Sequence, residues 1–174
     1  SGGKFFVSNS GSSNGLGSEN FPLNTIDNAI NLTSTGDTVI VLQGTYQENL
    51  RMADKSIPLA SLYLTTGDTS KITSTIIDGG YAASTIACTS STGSGVGAMK
   101  LTGLTIQGGG SSNGFFAGGG IKVNDYRSIT ITGCIIQGNQ AIYGGGFYSN
   151  NTDSLMIHNS IVRNNYAYDY GELN

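Results

Sequence analysis

The sequence predicts an all-β chain, a right-handed three-sheet parallel β-helix with a short N-terminal capping α-helix, and three observations carry that prediction. A block near the C-terminus repeats without gaps: Gly118-Gly119-Gly120-Ile121 through Asn139-Gln140-Ala141 aligns on Gly144-Gly145-Gly146-Phe147 through Asn165-Tyr166-Ala167, 26 residues further on. Self-similarity at a fixed period of this length marks a stack of like units. Inside each copy the apolar residues alternate in short bursts, as in Ile121-Lys122-Val123, Ile129-Thr130-Ile131 and Cys134-Ile135-Ile136. That is the period of a strand, and three short strands separated by Gly and Asn bends describe a triangular coil. Ahead of the repeats lies one segment with helical periodicity, placed to cover an open end.

In chain order, residues 1–37 form an N-terminal strand, loop and capping helix, and residues 38–174 form the rungs of what is one domain. In the helix Leu23, Ile26, Ala29 and Ile30 share a face, with Asn24 or Thr25 as N-cap. Such a helix laid across the coil end covers apolar surface and strand edges. Gly36-Asp37 then turns into Thr38-Val39-Ile40-Val41-Leu42, a buried strand. Earlier copies of the repeat are looser. Met99 to Gly109 lies 30 residues before its counterpart at Ile129 to Asn139, which fits an insertion around Ser111 to Ala117, and Ile76 to Gly80 precedes that by 29 more. Loops that slip while strands keep register are what stacked rungs permit, because each rung contacts only its neighbours.

Inward positions in the tightest copy are Ile121, Val123, Ile129, Ile131, Cys134 and Ile136, with Phe147, Ser149, Leu155, Ile157, Ser160 and Val162 one rung on. Asn139 over Asn165 suits an amide ladder that satisfies backbone groups at a bend, and Asn tolerates the left-handed conformation that bends need. Gly80 and Gly109 take that place in two earlier copies. Cys88 and Cys134 fall in different columns of apolar strands, so they read as small buried hydrophobes and not as a disulfide.

Composition narrows the class. Only 11% of residues are charged, the net charge is −3, and the eight basic residues are scattered from Lys4 to Arg163, which gives no stripe for a phosphate backbone. Nucleic acid is therefore excluded as the expected partner. No run of apolar residues is long enough to span a membrane, and no charged region leads into an apolar one as a signal peptide requires. The start at Ser1 suits a mature, processed chain.

Lys4-Phe5-Phe6-Val7-Ser8, Pro22-Leu23-Asn24-Thr25-Ile26, Gly36-Asp37-Thr38-Val39 and Gly44-Thr45-Tyr46-Gln47-Glu48-Asn49 together resemble the opening of secreted proteins in the pectate-lyase-like parallel β-helix superfamily. Thr75-Ile76-Ile77-Asp78-Gly79-Gly80 and the two Gly-triplet rungs resemble its surface repeats, as in polymorphic outer-membrane proteins, although Ile136 and Val162 stand where an aromatic is usual. The likeness spans nearly the whole chain. It implies the fold and an extracellular or cell-surface setting. It does not select a function, because the superfamily holds lyases, hydrolases, adhesins and structural rods.

No catalytic set emerges. The lyases of the superfamily use an Arg or Lys base beside carboxylate-held calcium, whereas here Asp78, Gln107, Gln137 and Arg163 stack in one outward column. Its single acid and single base, three rungs apart at about 4.8 Å each, stand roughly 14 Å from one another and cannot share a reacting carbon. Hydrolases need clustered carboxylates. Asn151-Thr152-Asp153 mimics part of a polygalacturonase-like motif without its other members, and His158 takes the place of the outward Thr132. In an enzymatic reading Lys100, Lys122 and Arg163 are the bases to mutate first. Asp125 and Asp153 are not stacked on each other, so neither a metal nor another cofactor is expected.

Surface features point to interaction instead. The outward column Ile76, Thr105, Ile135, Ile161 is more apolar than a solvated face needs, and calls for a partner or an overlying loop. Aromatics crowd the last third, at Phe115, Phe116, Tyr126, Tyr143, Tyr148, Tyr166, Tyr168 and Tyr170, and tyrosines serve both protein interfaces and sugar rings. The segment Tyr168 to Asn174, with Leu173, starts a further rung that stops at its first strand, which fits either end-to-end docking on another copy or another protein, or a piece of a longer rod. Asn31-Leu32-Thr33 and Asn150-Asn151-Thr152 are N-glycosylation sequons at Asn31 and Asn150. The expected function is an extracellular structural or interaction module, self-associating or bound to another extracellular protein in a fibre, appendage or surface layer. A polysaccharide-binding or polysaccharide-cleaving module is the alternative, with glycans as partners.

Overall fold

The computed structural model describes residues 2–90, 96–110 and 117–168. Five coils follow one another. The first comprises β2 (Thr38–Val41), β3 (Gly44–Gln47) and β4 (Leu50–Arg51), after β1 (Lys4–Ser12) and helix α1 (Ile26–Leu32). The second holds β5 (Pro58–Ser61), two short helices α2 (Tyr63–Thr66) and α3 (Ser70–Ser74), β6 (Thr75–Asp78) and β7 (Ile86–Thr89). The third is β8 (Val96–Thr102), β9 (Thr105–Gln107) and β10 (Ile121–Asn124); the fourth is β11 (Tyr126–Thr132), β12 (Ile135–Gln137), β13 (Gln140–Ala141) and β14 (Phe147–Asn150). The last is β15 (Ser154–His158), β16 (Ile161–Arg163) and β17 (Tyr166–Ala167).

Every strand pairs in parallel with its counterpart a coil away, which makes a β-solenoid of about 5 turns. Sheet A runs β1-β2-β5-β8-β11-β15, sheet B runs β3-β6-β9-β12-β16, and sheet C runs β4-β7-β10-β14. The predicted period is the observed register, with Ile121 opposite Phe147, Ile131 opposite Ile157 and Ile136 opposite Val162. Parallel sheets must be covered on the inner face, and apolar columns do this here. Val39, Leu59, Leu101, Ile131 and Ile157 stack through sheet A. Tyr46, Ile77, Ile106, Ile136 and Val162 stack through sheet B. Down to the fourth coil these side chains are buried, each stabilising the fold by about 1.5–3 kcal/mol.

Helix α1 closes the N-terminal end, with Ile26, Ala29 and Ile30 buried. Thr25 is the N-cap, its Oγ1 accepting from the Asn28 N–H at 3.2 Å. The first coil supplies the rest of the fastening. The Glu48 carboxylate accepts from the N–H groups of Ile26 and Asp27, each at 2.9 Å, and the Lys55 ammonium donates to the carbonyls of Ile30, Asn31 (3.1 Å) and Thr33 (2.9 Å). An acid at the positive end and a base at the negative end satisfy groups a helix leaves unpaired. Burial dominates at Glu48 and raises its pKa despite those two bonds.

The bend column is an amide ladder. Asn139 Oδ1 accepts from the Gly109 N–H at 2.8 Å, its Nδ2 donates to Ile106 O and to Asn165 Oδ1, and Asn165 Nδ2 donates to Ile136 O. The first coil has its own member, unanticipated from the sequence: Asn49 Nδ2 faces the carbonyls of Gly79, Ala83 and Ser84. Cys88 and Cys134 are buried free thiols, and burial pushes them up to about 12 and about 11. The pair α2–α3 is a second unanticipated feature. Its Tyr63 lies along the corner between sheets A and B, where a Cβ on Gly103 or Gly133 would come within 2.6 Å of it.

Candidate interaction surfaces

The outer face of sheet B carries two columns side by side, because alternate residues of each strand point outward. The apolar one is Ile76, Thr105, Ile135 and Ile161. The chain itself covers much of it. Helix α3 packs over β6 and β9, the Thr105 hydroxyl donates to Ile72 O at 2.8 Å, and Ile76 and Ile135 are largely shielded. Only Ile161 stands half exposed, at the mouth of a 470 Å³ groove between α3 and β12–β16 lined by Ile72, Thr73, Ile135 and Asn159.

The polar column is a continuous hydrogen-bonded chain. Arg163 donates from Nε (3.0 Å) and Nη2 (2.8 Å) to Gln137 Oε1, Gln137 Nε2 to Gln107 Oε1 (3.3 Å), and Gln107 Nε2 to Asp78 Oδ2 (2.9 Å). Asp78 Oδ1 accepts from the Gly80 N–H at 2.9 Å. Every amide points the same way, from cation to carboxylate, so each bond polarises the next.

Residues named for an enzymatic reading are kept apart. Lys100 lies on sheet A beside Thr130, Lys122 on sheet C beside Tyr148, and Arg163 on sheet B, so three different faces carry them. His158 is exposed on sheet A opposite Thr132. Asp125 occupies a left-handed bend and accepts from Asn151 Nδ2, one coil on, at 2.6 Å. Among the described residues no three His, Cys, Asp or Glu side chains gather where a metal ion could sit.

The last coil differs from all others. Leu155, Ile157 and Val162 continue inward columns, yet they are 43%, 41% and 53% exposed, where Ile129, Ile131 and Ile136 directly above them are 0%. Tyr166 is exposed on the same coil, its ring edge-on to Tyr168 with centroids 4.7 Å apart, and Tyr168 Oη donates to Gln140 Oε1 at 2.6 Å. Tyr148 is partly exposed on sheet C, whereas Tyr170 and Leu173 lie outside the described residues, as do Phe115 and Phe116. Tyr126 is no surface aromatic. It points inward, fully buried, with its hydroxyl donating to the carbonyls of Met52 (2.7 Å) and Lys55 (3.2 Å).

Both sequons fall on exposed asparagines. Asn31 sits in α1 with Nδ2 donating to Asp27 Oδ2 at 3.1 Å, while its partner Thr33 is buried and donates to Ile30 O. Asn150 ends β14 in the open. Comparison with protein-family models, curated proteins and solved structures finds no match to this chain.

Proposed function

We propose that the chain is an extracellular structural and interaction module of the pectate-lyase-like β-helix type, and that it associates with itself laterally, through the apolar groove beside α3 on sheet B. The observation that carries this reading is the 470 Å³ groove between α3 and β12–β16, where Ile161 stands half exposed beside Ile72 and Ile135. An apolar outward patch on a solvated sheet suits a packed partner. The few charges, a surface of hydroxyls and amides, and the two sequons favour a setting outside the cell.

Sedimentation velocity across a hundredfold dilution tests it, with Ile161→Lys as the disrupting variant. A reversible dimer that the variant converts to monomer is expected. A wild-type chain monomeric throughout would overturn the proposal.

A further inference from the structure

We infer that the outer face of sheet C carries a site for a single phosphate monoester group. This activity lies on a different face from the groove beside α3 and does not depend on it. In register, Arg51, Ala87, Lys122 and Tyr148 form one outward column of the sheet. The methyl of Ala87 leaves a gap between two long basic side chains, whose backbones stand about 10 Å apart at two strand spacings. The gap is a hollow of 180 Å³ lined by Arg51, Ser84, Ala87, Thr89 and Lys122, with Asn49 on its wall.

Its donors are uncommitted. The chain has eight basic residues, and two of them meet at this hollow. Neither Arg51 nor Lys122 has a hydrogen bond or ion pair among the described residues, where Lys71 with Asp68 is the one ion pair. No carboxylate lines the hollow. Two solvated cations on a polar sheet would account for Arg51 and Lys122, but they leave Ser84 unexplained. Ser84 is 6% exposed, yet its hydroxyl has no hydrogen-bond partner among the described residues. A buried hydroxyl without a partner destabilises the fold, so its place here calls for an acceptor. The residue is fixed where it stands, because Asn49 Nδ2 donates to the carbonyls of Ala83 and Ser84, each at 3.2 Å. Thr89, partly exposed, adds a second hydroxyl with no partner among the described residues.

Two cations and two hydroxyl donors around one small hollow fit a group with a charge near −2 and three acceptor oxygens. A phosphate monoester has both, because its second ionisation lies at about pH 6. A carboxylate or a sulfate monoester brings a single charge. The Arg51 guanidinium matches two of the oxygens as a fork, and the Lys122 ammonium supplies a point charge for the third. No third cation continues the column, where Tyr148 comes next, so the site suits one such group and not a polyanion.

Titrating the intact protein at low salt with phenyl phosphate, phenyl sulfate and a hexapeptide bearing one phosphoserine, followed by side-chain NMR of Arg51 and Lys122, tests this. Phenyl phosphate is expected to shift both side chains at millimolar concentration or below, and phenyl sulfate to bind about tenfold more weakly. Tighter binding of the peptide than of phenyl phosphate assigns the ester to a protein side chain, and weaker binding assigns it to a small molecule; either supports the site. Arg51→Gln and Lys122→Gln should each weaken binding about tenfold with Tm unchanged, and Ser84→Ala about threefold. Acidification through about pH 6 should weaken it as the ester takes up its proton. Absence of phenyl phosphate binding at millimolar concentration would overturn the inference. Equal binding of the sulfate, full affinity in Lys122→Gln, or shifts confined to another face would do the same.

Discussion

The first and last described coils of this solenoid differ in how their apolar columns are covered. Both expose a cross-section of apolar columns. At the N-terminal end α1 covers them, tied down by Glu48 and Lys55 from the coil beneath. At the last described coil the columns stay open, with Leu155, Ile157 and Val162 half exposed. Identical chemistry thus has different surroundings with position: an inward aliphatic residue is sealed in the fourth coil and about half exposed in the fifth, the last that the structure describes.

Substitution along one column should separate the ends most sharply. Ile131→Ala is expected to cost about 2–5 kcal/mol of unfolding free energy, because it empties a sealed position, whereas Ile157→Ala in dilute monomer should cost less than about 1 kcal/mol. Urea denaturation measures both, and equal losses would break the comparison. The ladder should grade similarly. Asn139→Ala strands the buried Gly109 N–H and Ile106 O and should cost about 1–3 kcal/mol. Asn165→Ala, in the last described coil, should cost less.

At the cap, Lys55→Met removes the donor to three helix-terminal carbonyls and should cost about 1 kcal/mol. Hydrogen exchange should show the faster opening confined to α1. Finally, two carboxylates near this end should respond to pH with opposite sign. The Glu48 pKa is raised by burial from its ordinary 4.5, so its contribution is fully present below that value and is lost as pH rises through the folded value. The Asp37 pKa is lowered from 3.8 by the N–H groups of Ser34 and Gly3, so its contribution is present above that value and fades as pH falls through the folded one. Relative to Glu48→Gln the wild type should weaken from acid to neutral pH; relative to Asp37→Asn it should strengthen.

Much of this architecture could be read in the residues. The gapless repeat fixes the register of the last two coils, and alternation separates Ile131, inward, from Thr132, outward. Asn139 and Asn165 were legible because the same residue recurs at the same bend. Asn49 is followed at the same bend by Gly80 and Gly109, so no recurring residue marks it as a ladder member. Helices α2 and α3 span four and five residues, too short for any periodicity to show. Tyr126 resembles a surface aromatic until the fold brings the carbonyls of Met52 and Lys55 to its hydroxyl. Glu48 and Lys55 act through groups more than twenty residues away, so no local pattern reveals them.

The central claim is that the groove beside α3 receives a second copy, and amide hydrogen exchange read at low and high protein concentration tests it most directly. The account predicts that protection rises with concentration at α3 and β16 and stays constant in α1. Exchange independent of concentration at α3 and β16, or protection gained at α1 instead, would contradict it.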